Sequence, residues 1–411
     1  MTDNYDFIVI GGGPAGMMAA GRAAERGGKV ILLEKNDRLG KKLLMCATGR
    51  CNVTNTAPLQ GFTEAYGKGG PFLRTALETF DNEKLRSFLL SHGVETVVEN
   101  KGRVFPKSQK ADSVLKALET YMRDGRVEIQ TNTHVLRLIS ENNHVHGVET
   151  NHGNIFGHNV LITTGGLSYP ATGSTGDGYK LAASVGHSIY PTYPAIVAFE
   201  TEETWVKSLQ GTPIKNVNIS TYQLNKKIAE HFGEALFTHY GISGPAILDM
   251  SKRLVECLPN GFIQIHIDFK PNHSTEELDS ILLNRIKRQG GKAIKSCLTF
   301  FIPEKLAPIL LGLCNIEPHK KASQITTQER RKILKQLKGL HLTLLRHRPI
   351  EEAIVTAGGV SLDEVDVKTM ESKLMKGLYF AGEVLDIDGP TGGFNLHAAF
   401  STGYLAGNSV D

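Results

Sequence analysis

The chain has 411 residues, enough for two or three domains, and its 43 glycines fit an α/β protein with many tight turns. A net charge of only +4 names no partner, and no run of about 18 apolar residues announces a membrane-spanning helix. Five cysteines (Cys46, Cys51, Cys257, Cys297, Cys314) form an odd, scattered set with no metal-ligand spacing, which predicts reduced thiols in a cytosol and no disulfide framework.

The N-terminus lacks a basic stretch followed by a long apolar one, so no signal peptide is expected. Tyr5 to Ile10 reads as a short apolar strand. Gly11-Gly12-Gly13-Pro14-Ala15-Gly16 follows, a G-x-G-x-x-G turn opening an Ala-rich helix from Met17 to Arg26. Lys29 to Leu33 is a second strand, closed by Glu34. Gly11 makes the tight turn, Gly13 lets a diphosphate approach the backbone, and Gly16 lets helix and strand pack closely. The helix start offers free N–H groups to phosphate. Glu34 is placed to accept from a ribose hydroxyl. The unit predicts dinucleotide binding without saying which dinucleotide.

Helices are expected near 71–92 and 111–124, and strands near 127–138, 144–150 and 159–163. Gly165-Gly166 stops the last of these strands, and Gly176 to Val185 resumes as helix. The texture changes near Tyr193. Segments 195–200, 217–223 and 262–268 look like strands, and 275–298, 304–312 and 327–338 look helical. The first texture returns with Ala353 to Thr356, Gly377 to Glu383 and a last helix over 395–408. The simplest organisation is one nucleotide domain built from 1–192 and 346–411, with a domain inserted at 193–345 that carries a helical part over about 270–338.

Two C-terminal segments bear on the cofactor. Leu378 to Phe380 is a buried strand ending in Ala381-Gly382-Glu383, and ligands meet an open parallel sheet at strand ends. Asp386 to Asn395 leads through Gly392-Gly393 into the last helix, whose start offers N–H donors and partial positive charge to a reduced flavin. With Leu161 to Gly166 these segments resemble the two-part FAD site of glutathione-reductase-like flavoproteins. No second G-x-G-x-x-G for NAD(P) is visible.

The order of Gly40-Lys41-Lys42, Gly49-Arg50-Cys51-Asn52-Val53-Thr54-Asn55, Gly165 to Pro170, Thr172 to Tyr179, Leu236 to Pro245, Thr356 to Val360 and 377–395 narrows the resemblance. The chain resembles the BaiN/YhiN-type NAD(P)/FAD-dependent oxidoreductases, also called the aminoacetone oxidase family of FAD-binding enzymes. The resemblance covers nearly the whole chain. It implies an α/β fold, a Rossmann-like FAD domain of glutathione-reductase type interrupted by a β-domain carrying a small helical domain. The implied FAD contacts are Gly11, Gly13, Pro14, Ala15, Gly16, Glu34, Lys35, Lys42, Gly49, Arg50, Cys51, Asn52, Val135, Thr164, Gly165, Gly166, Gly382, Glu383, Asp386, Gly392, Gly393, Phe394 and Asn395. The isoalloxazine is expected between the 49–55 loop, the 164–168 turn and the 391–395 helix start. Where the family has Ser-Gly-Gly-Gly before Arg-Cys-Asn, this chain has Cys46-Ala47-Thr48-Gly49, so backbone contact with the cofactor differs there.

Arg50, Cys51 and Asn52 are the candidates for catalysis. Arg50 is always charged, and Asn52 offers donor and acceptor to the flavin's polar edge. Cys51 reads either as a proton donor or as a packed small hydrophobe. Cys46 and Cys51 are also spaced as a redox C-x4-C pair, which beside a flavin exchanges electrons through a mixed disulfide. Against that stand the missing NAD(P) motif, the missing C-terminal His-Pro…Glu base, and the serine the family places at position 46. His239 reads as a general acid or as a structural histidine. Ser174 and Thr175 read as helix caps.

Residues 281–348 hold fifteen Lys and Arg against three Glu, an excess of twelve that the whole-chain balance hides. A basic helical lobe on an acidic body is the footprint of a polyanion partner, here RNA or the ribosome, or else a set of solvated helix faces. Members of the resembled family reduce a uridine of ribosomal RNA to dihydrouridine, oxidise aminoacetone, or act as reductases in bile-acid dehydroxylation. The first of these needs a phosphate-binding lobe. The sequence therefore predicts hydride transfer through flavin N5, with NADH or NADPH as donor and an RNA uridine as the leading substrate. The alternatives are a small-amine oxidase using O₂, an enone reductase, and a flavin-bearing ribosome-associated protein without turnover.

Overall fold

A computed structural model describes residues 4–410. The chain divides into two compact units, one built from residues up to Pro194 plus Ile350 onward, the other from Ala195–Pro349.

The first unit is organised around a seven-stranded sheet. Tyr5–Ile10 lies between Val30–Leu33 and Gly153–Ile162, parallel to both. Glu128–Gln130 extends the sheet beyond Val30–Leu33, and Leu378–Phe380 joins Gly153–Ile162 in parallel on the other side. Val135–Glu141 and His144–Thr150 add an antiparallel edge. Phe7, Ile8, Val9, Ile31, Leu32, Leu161 and Ile162 are fully buried, as expected of parallel strands covered on both faces.

Helix Ala111–Asp124 forms where expected, because Val114, Leu115, Leu118, Tyr121 and Met122 recur at helical spacing and are buried. The helix expected over 71–92 is two, Gly70–Thr79 and Asn82–Ser91. Asp81 interrupts it, its carboxylate accepting from Lys84 N at 2.7 Å as an N-cap. The strand expected over 127–138 is likewise two, with Asn132 at φ +55° between Glu128–Gln130 and Val135–Glu141. A small sheet of Thr54–Asn55, Arg103–Pro106 and Thr96–Val98 has no counterpart among the expected elements.

The first helix, Pro14–Glu25, and the last, Phe394–Ser409, pack backbone to backbone. A Cβ on Gly403 would lie 2.3 Å from Ala15 O, and one on Gly407 2.3 Å from Ala19 O. The shared step of four means that the helices run parallel here. Nine residues separate Phe394 from Gly403, so the last helix starts roughly 12 Å ahead of the first.

The second unit contains a closed six-stranded barrel of Phe199–Thr201, Gly241–Ser243, Lys226–Phe237, Pro213–Gln223, Ile263–Asp268 and Leu340–His347. Helices Thr275–Arg288, Ile294–Leu298, Leu306–Leu313 and Thr327–Lys338 are inserted between its last two strands. The expected helix 275–298 stops at Arg288, before Gly290-Gly291, and resumes at Ile294. Among the described residues, no helix is long and apolar enough to cross a membrane.

Candidate functional site

The Gly-rich turn has the geometry that the sequence asks for. Gly11 sits at φ +109°, where a Cβ would meet Thr163 O at 2.7 Å. Gly16 has no room for a side chain, since a Cβ would lie 2.0 Å from Gly11 O. Gly13 is the opposite case: no atom lies within 4 Å of where its Cβ would stand. The backbone is therefore tight on the sheet side and open at the start of the first helix, where Pro14 and Ala15 follow. Glu34, 8% exposed at the end of its strand, accepts from Gly12 N at 2.8 Å with one oxygen. Its other oxygen accepts from Asn36 N and Nδ2 at 2.8 and 2.7 Å. Thr133 N donates to Glu34 O, so Val135 begins its strand beside this strand end.

The C-terminal segments join the same region. Gly382, at φ +77°, would bring a Cβ within 3.0 Å of Ala15 Cβ, and its N–H donates to Thr402 Oγ1. Glu383 pairs with Lys42 at 2.7 Å. Lys42 Nζ also donates to Ser168 Oγ at 2.8 Å, and Ser168 Oγ and Thr356 N donate to the other Glu383 oxygen at 3.1 and 2.8 Å. Gly166 is needed here, because a Cβ would strike Thr356 Oγ1 at 2.5 Å. Ser168 closes the expected 164–168 turn, whereas Thr356 was not among the expected contacts; they lie 126 and 314 positions from Lys42, and no local pattern joins them to it. Asp386 N donates to Val360 O at 3.0 Å.

The turn before the last helix is tied down at three points. Asn395 Nδ2 donates to Gly389 O and its Oδ1 accepts from Gly389 N. Asn55 Nδ2 donates to Gly392 O, and Tyr66 OH to Phe394 O. Gly392 and Gly393, at φ +121° and +101°, give the left-handed turn, with Thr54 O 2.3 Å from where a Gly393 Cβ would be. Phe394 packs against Phe62 and Tyr66. Thr164 Oγ1 is buried without a partner, next to Gly165 at φ +73°. The open face at Gly13 and two offset helix starts fit an elongated dinucleotide.

The 46–55 loop is less open. Arg50 is spent within the protein: it pairs with Glu99, donates to Gln109 Oε1 at 2.6 Å, and lies over the Phe105 ring at 4.1 Å. Asn52 Oδ1 accepts from Val104 N at 3.2 Å. Gly49 and Cys51 take left-handed conformations at φ +88° and +64°. Cys51 is fully buried, and burial, then Cys46, hold its thiol protonated. Burial pushes Cys46 up to about 11, with Lys42 pulling it down and Glu383 raising it. All five cysteines are free. Lys35 turns to Asp177 at 2.6 Å and to Thr175. The hydroxyl-cap expectation fails at helix Asp177–Ser184: the N-cap is Gly176, with no side-chain cap, and Thr175 Oγ1 donates to the Asp177 carboxylate instead. His239, in the second unit, is exposed with its ring against Tyr240.

A Rossmann-type sheet, a Gly-rich turn on its first helix, and a C-terminal strand end and helix start beside it define an FAD-binding flavoprotein. The chain belongs to the family described as HI0933-like protein Rossmann domain, which matches residues 5–409, and this is a family of FAD-dependent oxidoreductases. It is 32% identical over 406 residues to the 3-dehydro-bile acid delta(4,6)-reductase of Clostridium scindens, covering 98% of each chain. It is 28% identical over 412 residues to the ribosomal RNA dihydrouridine synthase of Escherichia coli, covering 99% of this chain and 98% of that one. Among solved structures it is similar to the 3-ketosteroid-delta4-(5alpha)-dehydrogenase of Rhodococcus jostii, with a TM-score of 0.54 and 16% identity, covering 100% of this chain and 97% of that one. That likeness bears on fold alone.

Proposed function

We propose that the protein is an NAD(P)H-dependent reductase that saturates a carbon–carbon double bond conjugated to a carbonyl, with a uridine of ribosomal RNA as its substrate. The observation that carries the RNA reading is the division of charge. Ala195–Pro349 has 22 Lys and Arg against 14 Asp and Glu, whereas the rest of the chain has 24 against 28. A basic unit in a chain whose cofactor unit is acidic suits a polyanionic substrate. The curated relatives named for dihydrouridine synthesis match over nearly their full length.

Bound FAD supplies the hydride chemistry, and the protein binds and tunes it. The start of Pro14–Glu25 offers N–H groups to the diphosphate, and Glu34 holds the adenosine ribose. Lys42, Ser168, Thr356 and Glu383 fix the polar wall at the strand end. The start of Phe394–Ser409 would favour negative charge on a flavin ring held there. One alkene carbon would take the hydride and its neighbour a proton from solvent, and oxidation of the nicotinamide balances the two electrons.

A second reading, reduction of a small enone, is favoured by the 32% identity to the bile-acid reductase. The test is anaerobic incubation of the FAD-loaded protein with NADPH or NADH and ribosomal RNA, followed by nucleoside mass spectrometry. Dihydrouridine that needs both protein and donor supports the first reading. Unchanged uridine, together with turnover of a 3-dehydro-bile acid, replaces it with the second.

A further inference from the structure

In the second unit, a cleft of about 510 Å³ opens beside helix Thr327–Lys338, lined by Thr275, Arg331, Leu334, Lys335, Lys338 and His341. We infer that this cleft grips the phosphate backbone of the RNA, an inference that rests on the RNA substrate proposed above.

The helix buries Ile333, Leu334 and Leu337, and turns Arg331 and Lys335 outward four residues apart on one face. Several cations of this unit are already neutralised. Lys320 pairs with Glu329 at 2.7 Å, Arg330 with Asp279 at 2.6 Å, and Arg346 and Arg348 with Glu200 at 2.8 and 2.6 Å. Lys338 is framework too: it pairs with Asp268 at 2.6 Å and donates to Lys270 O and His273 O. Arg331 and Lys335 differ. Both are exposed at the cleft, with no hydrogen-bond or ion-pair partner among the described residues, and no carboxylate lines the cleft. His341 stands with its ring 4.0 Å from that of His266. Burial, and then the positive Lys335, hold it below the usual imidazole range, so it serves as a neutral hydrogen-bonding group.

Arg331 and Lys335 are about 6 Å apart along the helix axis. Their heads therefore reach neighbouring phosphates of one strand, a planar fork beside a point charge. The positive track is longer than one small anion needs. Lys332 continues it on the same helix, and Lys287 and Arg288 are exposed on Thr275–Arg288, which the Arg330–Asp279 pair ties to it. Phe300 is exposed, but the Arg285 guanidinium already covers its ring at 4.1 Å. The grip is thus on backbone, without base stacking, and tolerates sequence.

The test uses the FAD-loaded full chain and a fluorescent ribosomal RNA hairpin, with affinity measured against salt. Arg331→Ala with Lys335→Ala is expected to weaken binding about tenfold or more at low salt, uniformly across RNA sequences. The slope of log K against log salt should fall by about 1.4 to 1.8, the release expected for two phosphates. Lys207→Ala with Lys226→Ala, which removes the same charge from exposed positions elsewhere in the unit, should stay within about twofold of wild type. Equal losses in the two double variants, an unchanged affinity and slope in the first, or a cleft variant that weakens only NADPH binding would each overturn the inference. Dihydrouridine formation at saturating RNA is read separately. Cleft-dependent binding without dihydrouridine refutes the substrate reading alone, and dihydrouridine with cleft-independent binding refutes the grip alone.

Discussion

Gly403→Ala tests whether the parallel packing of the first and last helices sets the cofactor site. The new Cβ would lie 2.3 Å from Ala15 O and 3.0 Å from Ala15 C and Cα, about 1 Å inside ordinary contact. Both partners are helix backbone, so no rotamer relieves the clash and the helices must separate. Overpacking costs typically about 1–3 kcal/mol, and a rigid contact this short belongs at the upper end. Alanine's better helix propensity returns about 1 kcal/mol, leaving a net loss of about 2 kcal/mol. At roughly 2–4 °C per kcal/mol, the apoprotein should melt about 4–8 °C lower. Moving Ala15 also moves the turn at Gly13, so the further rise in Tm on adding FAD, which reports affinity, should shrink. Gly312→Ala is the control: nothing lies within 4 Å of that Cβ, so the substitution should leave stability unchanged or raise it. A Gly403→Ala protein with wild-type Tm and an undiminished FAD-induced shift would refute the reasoning.

Glu34→Gln presents an amide donor to the N–H groups of Gly12 and Asn36, and should weaken FAD roughly ten- to a hundredfold by fluorescence titration; unchanged affinity would remove Glu34 from the site. Burial lowers His397 to about 3, so below about pH 6.5 the unfolded chain binds a proton that the native chain refuses. Stability is then lost as pH falls from about 6.5 towards about 3, by about 2 kcal/mol at pH 5, and His397→Gln should flatten that loss in urea titrations; parallel curves would contradict it. The raised Cys46 and Cys51 thiols should react slowly with iodoacetamide at pH 8, and Cys46→Ser should match wild type in the proposed flavin reduction by NAD(P)H; rapid labelling, or loss of reduction relative to wild type, would restore the redox-pair reading.

The opening strand, turn and helix were legible because every part of their chemistry is local: an apolar run, glycines at fixed offsets and an acid at the next strand end. Asp81 and Asn132 carried readable signals as well, a cap and a residue tolerant of left-handed backbone, but the expected elements ran across them. The barrel was less legible. Lys226–Phe237 is a long strand with mostly exposed or half-exposed side chains, and its pattern does not announce a buried face. At the site, the types were readable and the partners were not. Lys42 and Glu383 meet across 341 positions, and the Glu99 that takes up Arg50 comes 49 positions later. A loop rich in Arg, Cys and Asn therefore looked more available than it is.

The central claim is that a nicotinamide-reduced flavin in this protein hands its hydride to an RNA uridine. Anaerobic stopped-flow tests it most directly, by mixing the FAD-loaded protein with NADPH or NADH and then with ribosomal RNA, a 3-dehydro-bile acid or O₂. The account predicts that the donor bleaches the flavin and that uridine-containing RNA restores its colour faster than either alternative. Reoxidation by O₂ or the enone alone, with RNA leaving the reduced flavin unchanged, would contradict it.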